Sequence, residues 1–267
     1  MLDQILSTKT RELIETKQLL PLPRLLDQLP DSPPPSFQAA ITRDQLNIIA
    51  EIKYASPSHG SFDNHRPPGE IAEIYAQNGA AAISVLTEKE YFSGDPEHLK
   101  TVRQKLPGMP LLRKDFLIDA YQVPESRFYG ASAYLVIVAA LDRHGLRGLI
   151  AAGQEYGLDA LVEVHDPYEL EAALQSGAEI IGVNNRNLRA FEIDIDISFD
   201  IARRLEHTPG LTLISESGLR ESSLILELRD AGFDAFLVGT LLMESPDPGA
   251  KLKELAGLKP QASSLKP

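Results

Sequence analysis

Cysteine is absent from the 267 residues of this chain. Its absence excludes disulfides, thiolate nucleophiles and cysteine-ligated metals. Basic residues are also scarce, with 26 Lys and Arg against 38 Asp and Glu, for a net charge of −12. A non-specific nucleic-acid-binding protein needs a basic face, so the sequence argues against nucleic acid as a partner. Any anionic ligand must be held by a few local cations.

Long apolar runs are missing as well. No stretch of about eighteen apolar residues occurs, and the N-terminus has neither the short apolar block nor the cleavage site of a secretory signal. We therefore expect a soluble, cytoplasmic protein with no membrane partner. The six histidines show no metal-ligand spacing, so we expect no metal, and we interpret His165 as a residue at the rim of a site.

From Leu46 onward, short apolar runs alternate with amphipathic helical patterns. The centres of the runs lie about 20 to 35 residues apart, which is enough for a strand, a helix and two loops. Strict alternation of this kind predicts parallel strands with right-handed crossovers. The eight predicted strands cover 46–53, 81–87, 110–114, 133–139, 159–164, 179–184, 211–215 and 234–239.

Glycine and short polar residues mark the ends of the predicted helices. Glycine suits the left-handed C-terminal cap, and Asp or Ser suits the N-cap. The predicted C-terminal caps are Gly79, Gly130, Gly157, Gly177 and Gly232, and the predicted N-caps are Asp95, Asp142, Asp166 and Ser198.

Two α/β folds fit eight such units, a closed barrel and a doubly wound open sheet. An open sheet gathers its functional residues near one switch point, whereas a barrel draws them from the C-terminal ends of many strands. Polar residues here follow nearly every predicted strand, so we expect a single (β/α)8 TIM barrel over residues 46–257. Residues 1–45 are predicted to be an N-terminal helical extension that packs near the barrel mouth, with a solvated linker as the alternative, and residues 258–267 a flexible C-terminal tail.

The first predicted strand breaks the apolar rule for a strand buried on both faces. Side chains alternate across a strand, so Ile49, Glu51 and Lys53 share one face, which we expect to look into the barrel. A satisfied buried ion pair is one interpretation. The other is a functional site, because charged or polar residues also end other strands: Lys114, Glu163, Asn184, Arg186 and Ser217.

Two lysines and two glutamates in a low-dielectric pocket suit proton transfer. Burial lowers the pKa of a lysine and raises that of a glutamate, so we expect both to move toward neutrality. The turns after strands 7 and 8 carry Gly218, Gly239 and Thr240, and such turns predict a phosphate site in this architecture. Ser56, across the mouth, can add a hydroxyl group to the same phosphate.

The motifs resemble those of indole-3-glycerol-phosphate synthases. The resemblance rests on Ile-Ala-Glu-Ile-Lys-Tyr-Ala-Ser-Pro-Ser-His-Gly from Ile49, Leu-Leu-Arg-Lys-Asp-Phe, Leu-Val-Glu-Val, Ile-Gly-Val-Asn-Asn-Arg-Asn-Leu, Ser-Glu-Ser-Gly and Phe-Leu-Val-Gly-Thr, in order between Leu2 and Met243. It implies a carboxy-lyase of tryptophan biosynthesis, without a cofactor. The implied substrate is a small phosphorylated molecule, 1-(2-carboxyphenylamino)-1-deoxyribulose 5-phosphate, and a monomer is expected.

The resemblance also implies roles. Lys114 matches the general acid, and Glu163 matches the residue that stabilises the cationic intermediate and accepts a proton. Lys53 and Glu51 match a pair that holds the substrate and assists dehydration. The remaining matches are polar contacts (Asn184, Arg186), the phosphate site (Ser56, Gly218, Gly239, Thr240, with Ser217 beside it) and an apolar slot for the aromatic ring (Phe92, Phe116, Leu135, Leu188).

Two alternatives remain at this stage. One is another phosphosugar barrel enzyme, such as the related isomerase of the same pathway or an aldolase that uses Lys114 as a Schiff-base nucleophile. The other is a barrel without activity that binds a phosphorylated metabolite as a regulator.

Overall fold

Eight parallel strands close into one barrel in the computed structural model, which describes residues 1–187, 192–205, 208 and 210–257. Each strand pairs with the next along the chain, and the last pairs with the first. This confirms the predicted (β/α)8 TIM barrel. The barrel strands are β1 (Asn47–Ile52), β2 (Ala82–Leu86), β3 (Leu111–Lys114), β4 (Ala133–Ile137), β5 (Asp159–Val164), β6 (Ile180–Asn184), β7 (Thr212–Glu216) and β8 (Ala235–Val238).

Twelve α-helices occur among the described residues, and none of them is long and apolar enough to cross a membrane. A short hairpin, Ala55–Ser56 with Gly60–Ser61, follows β1. The helices are α1 (Leu2–Leu19), α2 (Leu22–Leu26), α3 (Phe37–Ile41), α4 (Pro68–Gln77), α5 (Pro96–Lys105), α6 (Gln122–Phe128), α7 (Arg143–Tyr156), α8 (Pro167–Gln175), α9 (Asp196–Leu205), α10 (Ser222–Asp230), α11 (Thr240–Glu244) and α12 (Pro248–Leu255).

Residues at the ends of the helices match the predicted caps with one exception. All five predicted C-terminal glycines have positive φ. Asp95, Asp142 and Asp166 each accept a backbone N–H bond at an N-cap. The prediction for Ser198 is wrong, because α9 begins at Asp196 and the Ser198 hydroxyl group is buried within the first turn, where it donates to Asn185 Oδ1 at 2.8 Å.

The alternation of side chains along each strand divides the core in two. One set of residues, including Ile48, packs between the strands and the surrounding helices. The other set, including Ile49 and Leu161, fills the barrel interior below the mouth. Apolar side chains therefore occupy the lower interior, and the upper interior is left to polar groups.

The N-terminal segment contacts the barrel at both ends. Lys9 of α1 pairs with Asp115, directly after β3, so α1 lies beside the mouth. Near the other end, the backbone N–H of Phe37 donates to Asp159 at the start of β5, and the fully buried Phe37 and Ile41 join the interior core. Part of this segment thus completes the barrel core. The predicted tail, 258–267, lies outside the described residues.

Candidate active site

One pocket opens at the C-terminal ends of the strands, where parallel barrels place their sites. Apart from Leu188, which lies outside the described residues, every residue that the sequence proposed for the site lines this pocket. These residues are Glu51, Lys53, Ser56, Phe92, Lys114, Phe116, Leu135, Glu163, Asn184, Arg186, Ser217, Gly218, Gly239 and Thr240.

The charged pair of β1 enters the pocket from one side. Lys53 Nζ lies 3.1 Å from Glu51 Oε1 and donates to Thr240 Oγ1 at 3.2 Å. Glu51 is buried, and its second oxygen accepts from Ser84 Oγ of β2 at 3.4 Å. The ion pair expected from the sequence therefore forms, and it lies within the pocket.

Lys114, at the end of β3, lies at the centre of a second charged group. Its Nζ is 2.7 Å from Glu163 Oε2 and 2.6 Å from Glu216 Oε2. Both glutamates are almost fully buried, at 2% exposure each. One ammonium group is thus shared by two carboxylates from strands five and seven of the barrel.

The pKa values do not follow the simple burial argument. Burial opposes the charged form of Lys114, but Glu163, Glu216 and Glu51 outweigh it and raise its pKa. For Glu163, the effect of burial is outweighed by Lys114 and then His165, which hold its pKa below the usual range. Both shifts run opposite to the sequence expectation, since each charge is paired. Lys114 is consequently held protonated, as a general acid must be.

Glu216 is the glutamate that behaves as burial predicts. Burial, with Glu163 adding to it and Lys114 opposing it, raises the pKa of Glu216 to about 7. Its Oε1 atom has no hydrogen-bond partner among the described residues. A side chain at Gly182 would collide with this oxygen, which explains the glycine in β6. In the sequence, Glu216 was part of the Ser-Glu-Ser-Gly motif at the end of β7, but no role was predicted for it.

The interpretation of His165 as a residue at the rim of the site is wrong. Its side chain is only 10% exposed and does not line the pocket. It lies between Glu163, 3.3 Å from Nε2, and Glu169 of α8, 2.9 Å from Nδ1. No group of three or more His, Asp or Glu side chains able to hold a metal ion occurs in the described ranges.

Apolar side chains form the wall opposite the charges. The rings of Phe92 and Phe116 lie 6.1 Å apart, and Leu135 is buried beside them in the same core cluster. The buried carboxylate of Glu88 accepts backbone N–H bonds from Tyr91 and Phe92, at 2.8 and 3.1 Å. It thereby fixes the loop that carries Phe92. The slot is suited to a flat aromatic group.

The loop after β7 also lines the pocket and has an unusual backbone conformation. Ser217 and Gly218 both have positive φ, 68° and 82°, a conformation rare for a serine. Asn185 holds this loop in place, because its side-chain amide donates to the Glu216 and Ser217 carbonyls at 3.0 and 3.1 Å. Successive left-handed residues turn their N–H groups toward one concave face, which suits an anion.

Gly239 and Arg220 add two further features. A side chain at Gly239 would collide with the carboxylate of Glu51, so glycine leaves room for the charged pair as well as for a ligand. Arg220 also lines the pocket, and burial, with the charge of Arg220 adding to it, lowers the pKa of Arg186. The sequence analysis did not select Arg220.

A protein-family model and known relatives both match this chain over most of its length. The model of the family "Indole-3-glycerol phosphate synthase" matches residues 2–255. The indole-3-glycerol phosphate synthase of Chlorobaculum tepidum is 45% identical over 249 residues, covering 92% of this chain and 96% of the relative. That of Carboxydothermus hydrogenoformans is 40% identical over 262 residues, covering 95% and 98%.

Solved structures with lower identity bear on the fold alone. A 3-hexulose-6-phosphate synthase from Salmonella typhimurium matches with a TM-score of 0.62 at 14% identity, covering 79% of this chain and 97% of that one. A thiamine phosphate pyrophosphorylase from Pyrococcus furiosus matches with a TM-score of 0.58 at 15% identity, covering 79% and 93%.

Proposed function

The chain belongs to the indole-3-glycerol phosphate synthase family, and from this premise we propose how its pocket performs the reaction. The enzyme is a carboxy-lyase of tryptophan biosynthesis. It closes the pyrrole ring of 1-(2-carboxyphenylamino)-1-deoxyribulose 5-phosphate and releases carbon dioxide and water.

Lys114 is the general acid. Its ammonium group, held charged by Glu163 and Glu216, gives a proton to the ribulose carbonyl oxygen while the ring carbon that bears the carboxylate attacks the carbonyl carbon. The carbonyl π electrons become the O–H bond of the new hydroxyl group. The single observation that supports this role is the placement of Lys114 Nζ between two buried carboxylates at the pocket floor.

Glu163 stabilises the cation that the attack creates on the aromatic amine. Its carboxylate is ionised and buried, so its interaction with a developing positive charge is little screened by water. Loss of carbon dioxide then returns two electrons to the ring. Phe92, Phe116 and Leu135 hold the ring and exclude water from it.

Lys53 and Glu51 act on the second half of the reaction. They lie 3.1 Å apart on the side of the pocket next to Thr240, where the new hydroxyl group has to leave as water. An ion pair in this position supplies a proton donor for the leaving oxygen and a carboxylate to accept the proton that the product loses.

The phosphate binds between the loops that follow β7 and β8. Backbone N–H groups at Ser217, Gly218 and Gly239 can donate to it, and Ser56 and Thr240 add hydroxyl groups. Asn184 and Arg186 line the same pocket, and we assign them to the sugar hydroxyls of the substrate. The phosphate thus sets the register of the substrate along the pocket.

The test is an assay of indole-3-glycerol phosphate formation by fluorescence, with a separate trapping experiment in which borohydride is added to the mixture of enzyme and substrate, because borohydride also reduces a ketone substrate. The wild-type enzyme should turn over substrate and keep an unmodified mass. A substrate adduct on Lys114 would instead assign that lysine as a Schiff-base nucleophile. We also propose that the enzyme is a cytoplasmic monomer, which sedimentation equilibrium of the purified chain and fractionation of the native cell would check.

A further inference from the structure

His165 lies behind Glu163, on the side away from the pocket. Its backbone N–H and its Nδ1 both lie 2.9 Å from Glu169 Oε2 in the first turn of α8. Its Nε2 faces Glu163 Oε1 at 3.3 Å, while the other oxygen of Glu163 contacts Lys114. The four side chains form a line from the pocket floor toward the surface: Lys114, Glu163, His165 and Glu169.

Charges alternate along this line. The groups that face His165 are Glu163 from β5 and Glu169 from α8, both acidic. Burial opposes the imidazolium, but these carboxylates outweigh it and raise the pKa of His165 to about 10. The buried Nε2 has no hydrogen bond among the described residues, so its contact with Glu163 is a pairing of charges. His165 is therefore a second cation on Glu163.

A second cation matters because Lys114, the first cation, loses its charge during the reaction. When Lys114 gives its proton to the substrate, its Nζ becomes a neutral amine. Glu163 then faces a low-dielectric pocket without its main partner, and a carboxylate in that setting tends to take up a proton. A protonated Glu163 carries no charge with which to stabilise the cationic intermediate. A cation that does not take part in proton transfer would keep Glu163 ionised through this step.

We propose that His165 is the positioning residue that supplies this constant charge: held as an imidazolium between Glu163 and Glu169, it keeps Glu163 ionised and oriented after Lys114 has lost its proton. The inference rests on the roles of Lys114 and Glu163 proposed above. His165 touches Glu163 and not the substrate pocket, so it acts through the glutamate.

The decisive variant is His165→Gln, compared with His65→Gln as the matched control. His65 is exposed and pairs with Asp63 in its own loop. In His165→Gln, kcat should fall about tenfold, the equivalent of one pKa unit, while KM stays near the wild-type value. The acidic limb of the kcat profile should move up by about one pH unit or more, because an opposite charge within about 4–6 Å lowers a carboxylate pKa by 1–3. His65→Gln should change neither.

A second measurement does not depend on the folding of that variant. NMR titration of the wild-type enzyme should show the His165 imidazole titrating near pH 10, and Glu169→Gln should lower that value. A purely structural role would reduce the stability of His165→Gln without moving its pH profile. An imidazole that titrates near its ordinary pH, or a His165→Gln profile that overlays the wild type, would overturn the proposal.

The two proposals can fail separately. If Glu163→Gln retains wild-type turnover, then the assignment of Glu163 is wrong and the inference about His165 falls with it. If Glu163→Gln loses turnover while the His165→Gln profile is unchanged, then only the inference about His165 is wrong.

Discussion

Two buried charge clusters lie on either side of β3, and they differ in how fully their charges are paired. The inner cluster consists of Lys114, Glu163 and Glu216, in the pocket. The outer cluster consists of Lys9, Arg113, Asp115 and Glu125, between the barrel wall, α1 and α6. Side chains alternate along a strand, so successive residues of β3 serve opposite faces.

Every charged side chain of the outer cluster has at least one oppositely charged partner. Arg113 donates to Glu125 at 2.8 Å, to Asp115 at 3.1 Å and to Thr87 at 3.2 Å. Asp115 also pairs with Lys9 and accepts from Thr87. Burial would raise the pKa of Asp115, but Lys9 and Arg113 outweigh it and hold the pKa well below its usual range. These charges are fixed.

The inner cluster is short of cations at Glu216. Two carboxylates share one ammonium group, one oxygen of Glu216 lacks a hydrogen-bond partner among the described residues, and the pKa of Glu216 rises to about 7. A group whose protonation is balanced near neutrality can exchange a proton during turnover, whereas a saturated ion pair cannot. The same residue types thus form a fully paired cluster on one face of β3 and an incompletely paired cluster in the pocket on the other.

The largest effect on turnover is expected at Lys114. Lys114→Met should lower kcat about 10²–10⁴-fold, because it removes the proposed general acid. The fold should survive, since Glu216 can take up a proton and remove one of the stranded charges. Stopped assays with far-ultraviolet circular dichroism test both statements, and Lys105→Met, which loses an exposed pair with Glu73, is the control. Turnover near the wild-type level would remove Lys114 from the mechanism.

In the outer cluster the effect should fall on stability. Arg113→Met should lower the free energy of unfolding by about 3–5 kcal/mol, because it leaves buried carboxylates without their partner. The exposed pair of Arg229 with Asp230 provides the control, since Arg229→Met should change stability by about 0–1 kcal/mol. Urea denaturation of both variants measures the difference. Equal stability for the two would contradict the structural role of the outer cluster.

Glu216→Gln should change stability in the opposite direction to Arg113→Met, because it raises stability above neutral pH. The raised pKa means that folded Glu216 holds a proton that the unfolded chain releases, so its contribution to stability falls as the pH rises from about 4.5 to about 7. Above that window the variant should be more stable than the wild type by about 1–3 kcal/mol, yet slower in turnover. Thermal unfolding at pH 5 and pH 8.5 checks this, and a variant less stable at the higher pH would show that the charged form is favoured.

Lys9→Met should have the smallest effect of the four. Asp115 keeps Arg113 as a partner, so a loss of about 1–3 kcal/mol is expected from the charged contacts of Lys9 with Asp115 and Glu12. Because Lys9 lies outside the pocket lining of the active site, kcat should change little. Lys17→Met, which loses a half-exposed pair with Asp119, is the control. A large fall in kcat would indicate that α1 contributes to the chemistry.

Much of the fold and of the site was predictable because the signals are local. A period of two placed Glu51 and Lys53 on the inner face of β1, and the β/α alternation brought the ends of distant strands to one mouth. The same reasoning placed Lys114 and Glu163 at the mouth of the barrel. The resemblance to a known family then added the apolar slot, whose members Phe92 and Phe116 carry no periodic signal of their own.

The features that were missed depend on pairs far apart in the chain. Lys9 looks like a solvated helix residue until Asp115 is placed against it, and Ser198 looks like a cap until Asn185 accepts its hydroxyl group. His165 was interpreted as a rim residue and Glu216 was only part of a motif, because their environments come from Glu169 and Lys114, which are not adjacent to them in the sequence. The entry of Phe37 into the barrel core likewise has no local signal.

The sequence by itself determined which residues face the barrel interior, because alternation along a strand and the parallel direction of the strands are properties of the local chain. The tertiary structure alone decided their protonation. A pKa depends on the charges within a few ångströms, and those charges come from other strands. Burial alone would have made Lys114 less basic and Glu163 less acidic, but opposite charges lie beside both groups and reverse these shifts. Of the three groups, Glu216 is the one whose pKa lies near neutrality.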